Sequence, residues 1–545
     1  MNTTKLKLGL LLDSTDVPAW VYDVLQRIAI KKSSEFVLVI LNEETGKRNK
    51  KDTSKLVYSI FNRIDEKIFT KEPDPFEKKN ITQIIADVPV IKVFPQEDGN
   101  AWKLSEADVK RICEYRLDIL LKFGFENMQC ETLNASKYGT WFYYHGDDRV
   151  MREGPPGFWE VVESLPETSS ALLAEGGEST LKRVLFRSQF ITYPLSPARH
   201  RSYYFWATTS FLSRQIELLQ KLGNDKYWKQ TEKYNAICFS GNRSYQAPSN
   251  LQAFLSIGKI LSRLIKEFAQ RFFYTEQWFL LFSLKQDIFG NISKFIEIRP
   301  SKGKFWADPH IIRANGSYYI FVEEFLSAKK KGHISVIELD ELGNWKAPIM
   351  VLEKDYHLSY PFIFEWNNKY YMVPESRANK TIDLYECVEF PDKWNFKQHL
   401  KENISAVDTT LIHYANKWWL FTAIAENEAA GPNVELFLYY SDDLLGGEWN
   451  AHPLNPIVSD VKSARPAGKL FIKDGKLFRP SQDCSTTYGY SFDLNEIEVL
   501  SETEYRERKT FSNKPNWDKR ILATHTFANC DNLTVIDAFS RTLKF

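Results

Sequence analysis

Continuous apolar runs alternate with helical spacing through the first 215 residues or so. Lys7–Leu12 (KLGLLL) and Phe36–Leu41 (FVLVIL) are bounded by polar residues and suit strands of a parallel sheet covered on both faces. Between them, Val17–Ala29 repeats its apolar residues at helical spacing, with Asp16 placed to cap the helix ahead of Pro18. Ile91–Phe94 and Leu117–Phe123 read as further strands, with a helix over Glu106–Tyr115. This alternation predicts an α/β domain over 1–209, a sheet with right-handed crossovers. Neither GxGxxG nor GxxxxGK[ST] occurs, so no standard dinucleotide or P-loop site is indicated.

From 210 to 276 the pattern is helical. Ser210–Leu222 and Leu251–Arg271 are the two clearest segments, and the second carries a broad stripe of Phe254, Leu255, Leu261, Leu264, Ile265 and Phe268. Lys259, Arg263, Lys266 and Arg271 add positive charge beside it. Two outcomes are open for such a helix. It packs its stripe on a domain as a linker, the commoner use of an apolar face, or it lies on an anionic membrane surface.

From 277 onward the chain repeats itself. WADPHIIRANGSYYIFVEEF (306–325), YPFIFEWNNKYYMVPES (360–376), DTTLIHYANKWWLFTA (408–423), ARPAGKLFIKDGKLFRPSQD (464–483) and HTFANCDNLTVIDAFS (525–540) share one form. Each has a polar opening, an apolar strand, a turn and a second apolar or aromatic strand. Asn315-Gly316, Asn367-Asn368, Asn416-Lys417 and Asp474-Gly475 fall where tight hairpins need residues tolerant of positive φ. The spacing of successive copies leaves room for a four-stranded sheet each, so 277–545 is expected to be a five-bladed β-propeller. Trp278–Leu284 precedes the first copy and is placed to close the ring with the last blade.

Composition narrows the function classes. With 71 Lys plus Arg against 70 Asp plus Glu, the chain has no broad basic surface, and nucleic acid is not an expected partner. Aromatic residues make up 14%, which fits a β-rich half. Cys113, Cys130, Cys238, Cys387, Cys484 and Cys530 form no CxxC pair, so neither a disulfide framework nor a zinc site follows. No DxD motif for a metal-held nucleotide stands out, and no metal is expected. The setting expected is cytoplasmic, with peripheral contact at the inner face of the membrane as the variant the basic helix leaves open.

The first strand of each blade lines the axis, so Asp308, Tyr360, Asp408, Arg465 and His525 are expected to converge there, with Glu375, Arg479 and Asp483 around them. Two carboxylates flanking a sugar bond can act as acid and base, or as nucleophile and acid. Paired with Arg465, they can instead hold a sugar or phosphate group. As a third use, the Asp residues cap turns at the blade starts. Asp308→Asn is expected to remove binding at little cost in stability, unless the third use holds. Trp306, Trp418 and Trp419 read as blade packing.

ADPHII…GSYYIF resembles the first blade of family-43 glycoside hydrolases, which implies Asp308 as general base or nucleophile, and DTTLI is similar to their second carboxylate motif, at Asp408. Arg465 stands near where those hydrolases carry an essential Glu. HLSYPFIF, YYMVPES, DTTLIHY…WWLF, NPI…SARPAG, LFRPSQDCSTTYG and HTF resemble, in order, the propeller-like region of plant glucosamine inositolphosphorylceramide transferases. That resemblance implies a link to glycan or glycolipid synthesis. In those proteins the sugar-transferring domain is a separate portion, and nothing here resembles it.

LDILLKFGF (117–125) and GTWFYYHGDDRVMREGPPGFWEVVES (139–164) resemble the formyltransferase fold, which implies a Rossmann-type domain. The resemblance implies His145 as the residue that moves a proton while an amine attacks the formyl carbon. Tyr143 occupies the place of the family's Asn, and no counterpart of its Asp appears near Ser179. His145, Asp147, Asp148 and Arg152 are left as members of a different site, or His145 as a structural histidine.

The function expected is therefore a carbohydrate-active transferase of surface polysaccharide or glycolipid synthesis, with the sugar in the propeller funnel or an interdomain cleft. The alternatives are a sugar acyl or formyl transferase using the α/β domain, and a non-catalytic glycan-binding protein. The sequence does not identify the co-substrate, for which a nucleotide sugar and formyl-folate are both open; a sugar nucleotide, glycan or glycolipid is the expected partner.

Overall fold

The computed structural model describes residues 5–43, 53–98, 101–125, 135–149, 154–177, 179–235, 246–285 and 292–544. The chain divides into two compact units: 1–188 with 192–264, and 189–191 with 265–545.

The first unit is α/β, built on a seven-stranded sheet. Its strands lie in the order Ser179–Ile191, Glu167–Gly176, Thr140–Tyr144, Ile119–Lys122, Leu6–Leu12, Ser34–Asn42, Val90–Val93. The five strands from Thr140–Tyr144 to Val90–Val93 pair in parallel, and Glu167–Gly176 joins Thr140–Tyr144 antiparallel. The two unbroken apolar runs are central strands because both faces are covered: Leu10, Leu11, Val39 and Ile40 are fully buried. Helix α1 (Ala19–Ala29) buries Val21, Val24, Leu25 and Ile28 at helical spacing. Asp16 does not cap it; Pro18 holds that position without a side-chain bond. Asp16 instead opens a short strand paired with Lys78–Asn80, and its carboxylate accepts from the Asn80 amide at 2.7 Å. The other helices are α2 (Leu56–Phe69), α3 (Glu106–Cys113), α4 (Phe158–Glu163), α5 (Pro197–Ala207), α6 (Phe211–Leu222), α7 (Asn224–Asn235) and α8 (Asn250–Phe273).

Helix α8 departs from the packed-linker expectation. Ala253, Ser256 and Ile260 are its buried residues, while Phe254, Leu255, Leu261, Ile265 and Phe268 are exposed. Leu264, half-buried, joins a small cluster with α4. Arg263 is not a free cation: it donates to the carbonyls of Val161, Val162 and Pro194. No described helix is long and apolar enough to cross a membrane.

The second unit is a five-bladed propeller. Four blades start with, or have as their second strand, the segments Lys304–Ala314, Ser359–Trp366, Ala406–Tyr414 and Lys476–Asp483. The fifth joins the two ends of the unit, since Tyr274–Ser283 pairs antiparallel along its whole length with Leu533–Leu543. That is the closing strand expected from Trp278–Leu284. Closure ties the ring's two ends together, and the blades are left with short, protected edges.

Each of the five contacts between neighbouring blades has its own apolar cluster. Trp306 lies in the contact between the last and first blades, Trp418 between the second and third, and Trp419 between the third and fourth. All three are blade packing, as expected. Deleting such a ring costs about 3–5 kcal/mol. The hairpin pairs Asn315-Gly316, Asn367-Asn368 and Asp474-Gly475 have positive φ at both residues. In the third blade the pair is Ala415-Asn416, one residue earlier than expected, and Lys417 already belongs to the next strand. The four described cysteines are free thiols.

Candidate functional site

The first three blades share a defect in their innermost strand. The ladder slips between Ala307 and His310, between Ser359 and Phe362, and between Val407 and Thr410. At the apex of the bulges stand Asp308, Tyr360 and Asp408, with φ of 53°, 41° and 50°. Left-handed backbone at non-glycine residues costs on the order of 1 kcal/mol or more and persists only where the surroundings fix it. Here the bulge aims three side chains at the axis.

Asp308 is held on both oxygens. Its Oδ1 accepts from Thr526 Oγ1 at 3.0 Å and lies 3.1 Å from His525 Nε2. Its Oδ2 accepts the Tyr360 amide at 3.3 Å. His525 Nδ1 sits 3.0 Å from Asp537 Oδ2, close enough for ion pairing but without hydrogen-bond alignment. Burial opposes the imidazolium charge, but the Asp537 and Asp308 carboxylates outweigh it and lift the ring to about 10. Burial likewise works against the Asp308 charge, and His525 overrides it, bringing that carboxyl down to about 2.

Asp308, His525 and Asp537 are also close enough to one another to form a metal site.

Asp408 is gripped by Arg465, with Nε 2.5 Å from Oδ2 and Nη2 3.2 Å from Oδ1, and by Gln482 Nε2 at 2.8 Å. The third guanidinium nitrogen donates to Asn433 at 2.7 Å. Tyr360 is fully buried; its hydroxyl lies 3.0 Å from Thr410 Oγ1 and accepts the Gly468 amide at 2.7 Å. Gly468 cannot be replaced, since a Cβ there would stand 2.0 Å from the Phe527 carbonyl oxygen. Tyr360 is therefore a tie across the ring rather than a free ligand.

Glu375 is the least compensated acid of the group. Its Oε2 is buried without a hydrogen-bond partner, and Arg465 Nη2 is 3.6 Å away. Burial and then the neighbouring Asp408 push its carboxyl well above the usual range, against the pull of Arg465. Glu323 is pushed up in the same way by burial, Asp308 and Glu375. Its Oε1 lies 3.3 Å from His357 Nε2. Five carboxyls (Asp308, Glu323, Glu375, Asp408, Asp537) facing Arg465 and His525 in a low dielectric cannot all stay ionised. The shifts favour protonation at the two glutamates, whose carboxyls are the ones pushed upward.

The group is layered. Asp308, Asp408, His525 and Asp537 are buried, whereas Tyr488 is 42% exposed. The Tyr488 ring covers Arg465 at 4.9 Å and lies 5.5 Å from the His525 ring. Tyr488 and His357 thus lie on the open side of the group, over the largely buried Glu375 and Arg465 and a floor of fully engaged aspartates.

The sequence expectations fare unevenly. Asp308, Tyr360, Asp408, Arg465, His525 and Glu375 are brought together. Arg479 is not: it is buried among outer strands, paired with Glu507 at 2.7 and 2.8 Å. Asp483 accepts the Ser485 amide in a local turn. The axial residue of that strand is Gln482, between the two. Alternation along a strand puts neighbours on opposite faces, so a one-residue slip selects the wrong set. Glu323, Gln482, Tyr488 and Asp537 were missed. Glu323 was within reach, since VEEF in the first blade and VPES in the second set Glu323 and Glu375 opposite Ala307 and Ser359, the residues before the two bulges.

In the α/β unit, His145 is walled in by Trp20, Tyr143, Tyr204 and Phe205, the last stacked at 3.8 Å. Ser170 Oγ lies 3.2 Å from Nδ1, and Nε2 is buried without a partner. Burial lowers the ring to about 3, so it is neutral across the physiological range. Asp147 pairs with Arg149 and Asp148 with Arg187, neither with His145. Arg152 lies outside the described residues. The Tyr143 hydroxyl donates to the Thr208 carbonyl at 3.0 Å.

Comparison with solved structures gives the catalytic domain of the Coprinopsis cinerea GH62 α-L-arabinofuranosidase (11% identity, 45% of this chain and 94% of that one, TM-score 0.34). It also gives Zg3597, a family 117 glycoside hydrolase of Zobellia galactanivorans (17% identity, 44% and 85%, TM-score 0.32). Among curated proteins, glucosamine inositolphosphorylceramide transferase 1 of Oryza sativa subsp. japonica is 37% identical over 206 residues, 37% of this chain and 27% of the rice protein. Its namesake in Arabidopsis thaliana is 34% identical over the same length. The chain spans about a quarter of the length of these relatives. The family model described as glucosamine inositolphosphorylceramide transferase 1, N-terminal, matches residues 294–524, so most of the propeller, axial group included up to Tyr488, is similar to that family.

Proposed function

We propose that the chain is a carbohydrate-active transferase of glycolipid or surface-polysaccharide synthesis that holds a sugar at the propeller axis. One observation carries the reading: Glu375, whose buried Oε2 has no hydrogen-bond partner, stands beside the Arg465–Asp408 pair under the exposed ring of Tyr488. In this reading the neutral Glu375 carboxyl donates a hydrogen bond or a proton to a sugar oxygen. Arg465 binds hydroxyl or phosphate oxygens, and Tyr488 offers an apolar face to the pyranose ring. Asp308 and Asp408 position His525 and Arg465 rather than touch the sugar. The co-substrate is a nucleotide sugar and the acceptor a glycolipid, in line with the names of the relatives.

A second reading, a glycan-binding protein without catalysis, is favoured by the saturation of both aspartates with protein donors, which leaves no free carboxylate as base or nucleophile. The formyltransferase-like kinship of the α/β unit, with His145 as proton carrier, is a third. A dry, neutral His145 and Tyr143 in place of the amide argue against turnover there.

Incubation of the full chain with sugar nucleotides, and separately with formyl-folate, separates the readings. Sugar-dependent nucleotide release that Glu375→Gln abolishes supports the first. Glycan binding without release supports the second, and folate turnover lost in His145→Ala the third.

A further inference from the structure

Eight large apolar side chains of the α/β unit stand at least half exposed on two of its helices. Leu56, Ile60, Ile64 and Ile68 recur every fourth residue on α2. At about 100° per residue they cover about 120° of its surface. Leu251, Phe254, Leu255 and Leu261 form a second stripe on the part of α8 in the same unit. Other faces of the same helices are already used. Tyr58 and Phe61 of α2, with Ile260 and Leu264 of α8, pack on Phe158, Val161 and Val162 of α4. Asn250 Oδ1 accepts the Val57 amide at 2.9 Å, tying the start of one helix to the other. Both stripes therefore turn away from the cluster that holds the helices, and among the described residues nothing covers them. Patches of this size on a soluble surface mark an interaction site.

The charges around the stripes have one sign. Arg63 and Lys67 run beside the α2 stripe and Lys259 borders that of α8, all exposed. The acids of α2 are engaged: Asp65 is buried on the Ala198 amide at 2.7 Å, and Glu66, part-exposed, is neutralised by Arg201 at 2.6 Å. Residues 250–264 contain no Asp or Glu. Apolar stripes edged by cations, with the acids of α2 buried or paired, complement a surface that is apolar beneath and anionic above.

We propose that this face seats the protein on a bilayer rich in anionic phospholipid. The leucines, isoleucines and Phe254 enter the boundary between headgroups and acyl chains, and Arg63, Lys67 and Lys259 pair with phosphates. Seating needs neither the propeller axis nor the proposed transfer reaction.

Sedimentation of the full chain with vesicles tests it. Phosphatidylcholine vesicles carrying about 30% phosphatidylserine are expected to bind the protein at least tenfold more tightly than phosphatidylcholine alone, with the difference reduced by salt. Ile60→Asp/Ile64→Asp and Phe254→Asp/Leu255→Asp are each expected to lower binding at least tenfold with an unchanged circular dichroism spectrum. The milder Ile60→Ser/Ile64→Ser is expected to act in the same direction. Arg63→Ala and Lys67→Ala are each expected to lower it about fivefold. Failure of the unmodified protein to bind anionic vesicles overturns the proposal, as does binding indifferent to the apolar substitutions. So does sedimentation velocity showing a dimer that Ile64→Asp splits, which would assign the face to a second copy.

Discussion

Removing the guanidinium from Arg465 while keeping its bulk, as Arg465→Met, exposes the electrostatics of the axis most sharply. Arg465 is 8% exposed, and its loss leaves Asp408, 1% exposed, with Gln482 as its remaining side-chain donor. Asn433 also loses its donor, and Glu375 its nearest cation. Breaking a buried pair by removing one partner costs about 3–5 kcal/mol, because the surviving charge has nowhere to turn. For a unit of the propeller's size, that corresponds to a fall in melting temperature of roughly 5–9 °C. The assay is scanning calorimetry of the full chain. Asp408→Asn/Arg465→Met is expected to recover most of the loss, since it removes both charges together. A single-variant shift below about 2 °C, or a double variant no more stable than the single, would refute the claim that Asp408 depends on Arg465.

Other expectations follow from the same network. Tyr360→Phe leaves the buried Gly468 amide and Thr410 hydroxyl without their shared partner and is expected to cost about 1–3 kcal/mol in urea unfolding. The His525 ring, raised to about 10, contributes stability that is complete below about pH 6.5 and lost as pH rises through 10. Melting temperature is therefore expected to fall between pH 7 and 10, and His525→Gln to flatten that slope. Tyr488→Ala, which removes a half-open ring, is expected to weaken sugar binding about tenfold in a calorimetric titration with little change in stability. Asp308→Asn, expected from sequence to spare stability, is now expected to lower it by about 1–3 kcal/mol, because His525, Thr526 and the Tyr360 amide all lean on that carboxylate.

The propeller was legible because its signals are local and repeated. Positive-φ hairpin pairs such as Asn315-Gly316 and aromatic second strands recur at a spacing only a blade fills, and each blade shields its neighbour through the same positions. The bulged aspartates were legible too, since polar residues interrupt otherwise apolar strands at Asp308 and Asp408. What resists reading is side-chain parity and long-range compensation. Arg479 and Gln482 are three residues apart, and only the strand's face decides that one reaches Glu507 and the other Asp408. Tyr488 sits in a loop, where no periodicity points it at Arg465. The α8 stripe has the spacing of a core-facing helix; only the structure shows Phe254 and Leu255 left uncovered. His145 occupies a motif position, yet its burial against Phe205 depends on residues sixty positions away.

The claim on which the functional account rests is tested most directly by the structure of the full chain crystallised with a panel of simple pyranosides. The account predicts a pyranose ring against Tyr488, with its oxygens within hydrogen-bond distance of Glu375 and Arg465, and loss of that density in Glu375→Gln/Tyr488→Ala. A sugar bound elsewhere, or at the axis with equal occupancy in the double variant, would contradict it.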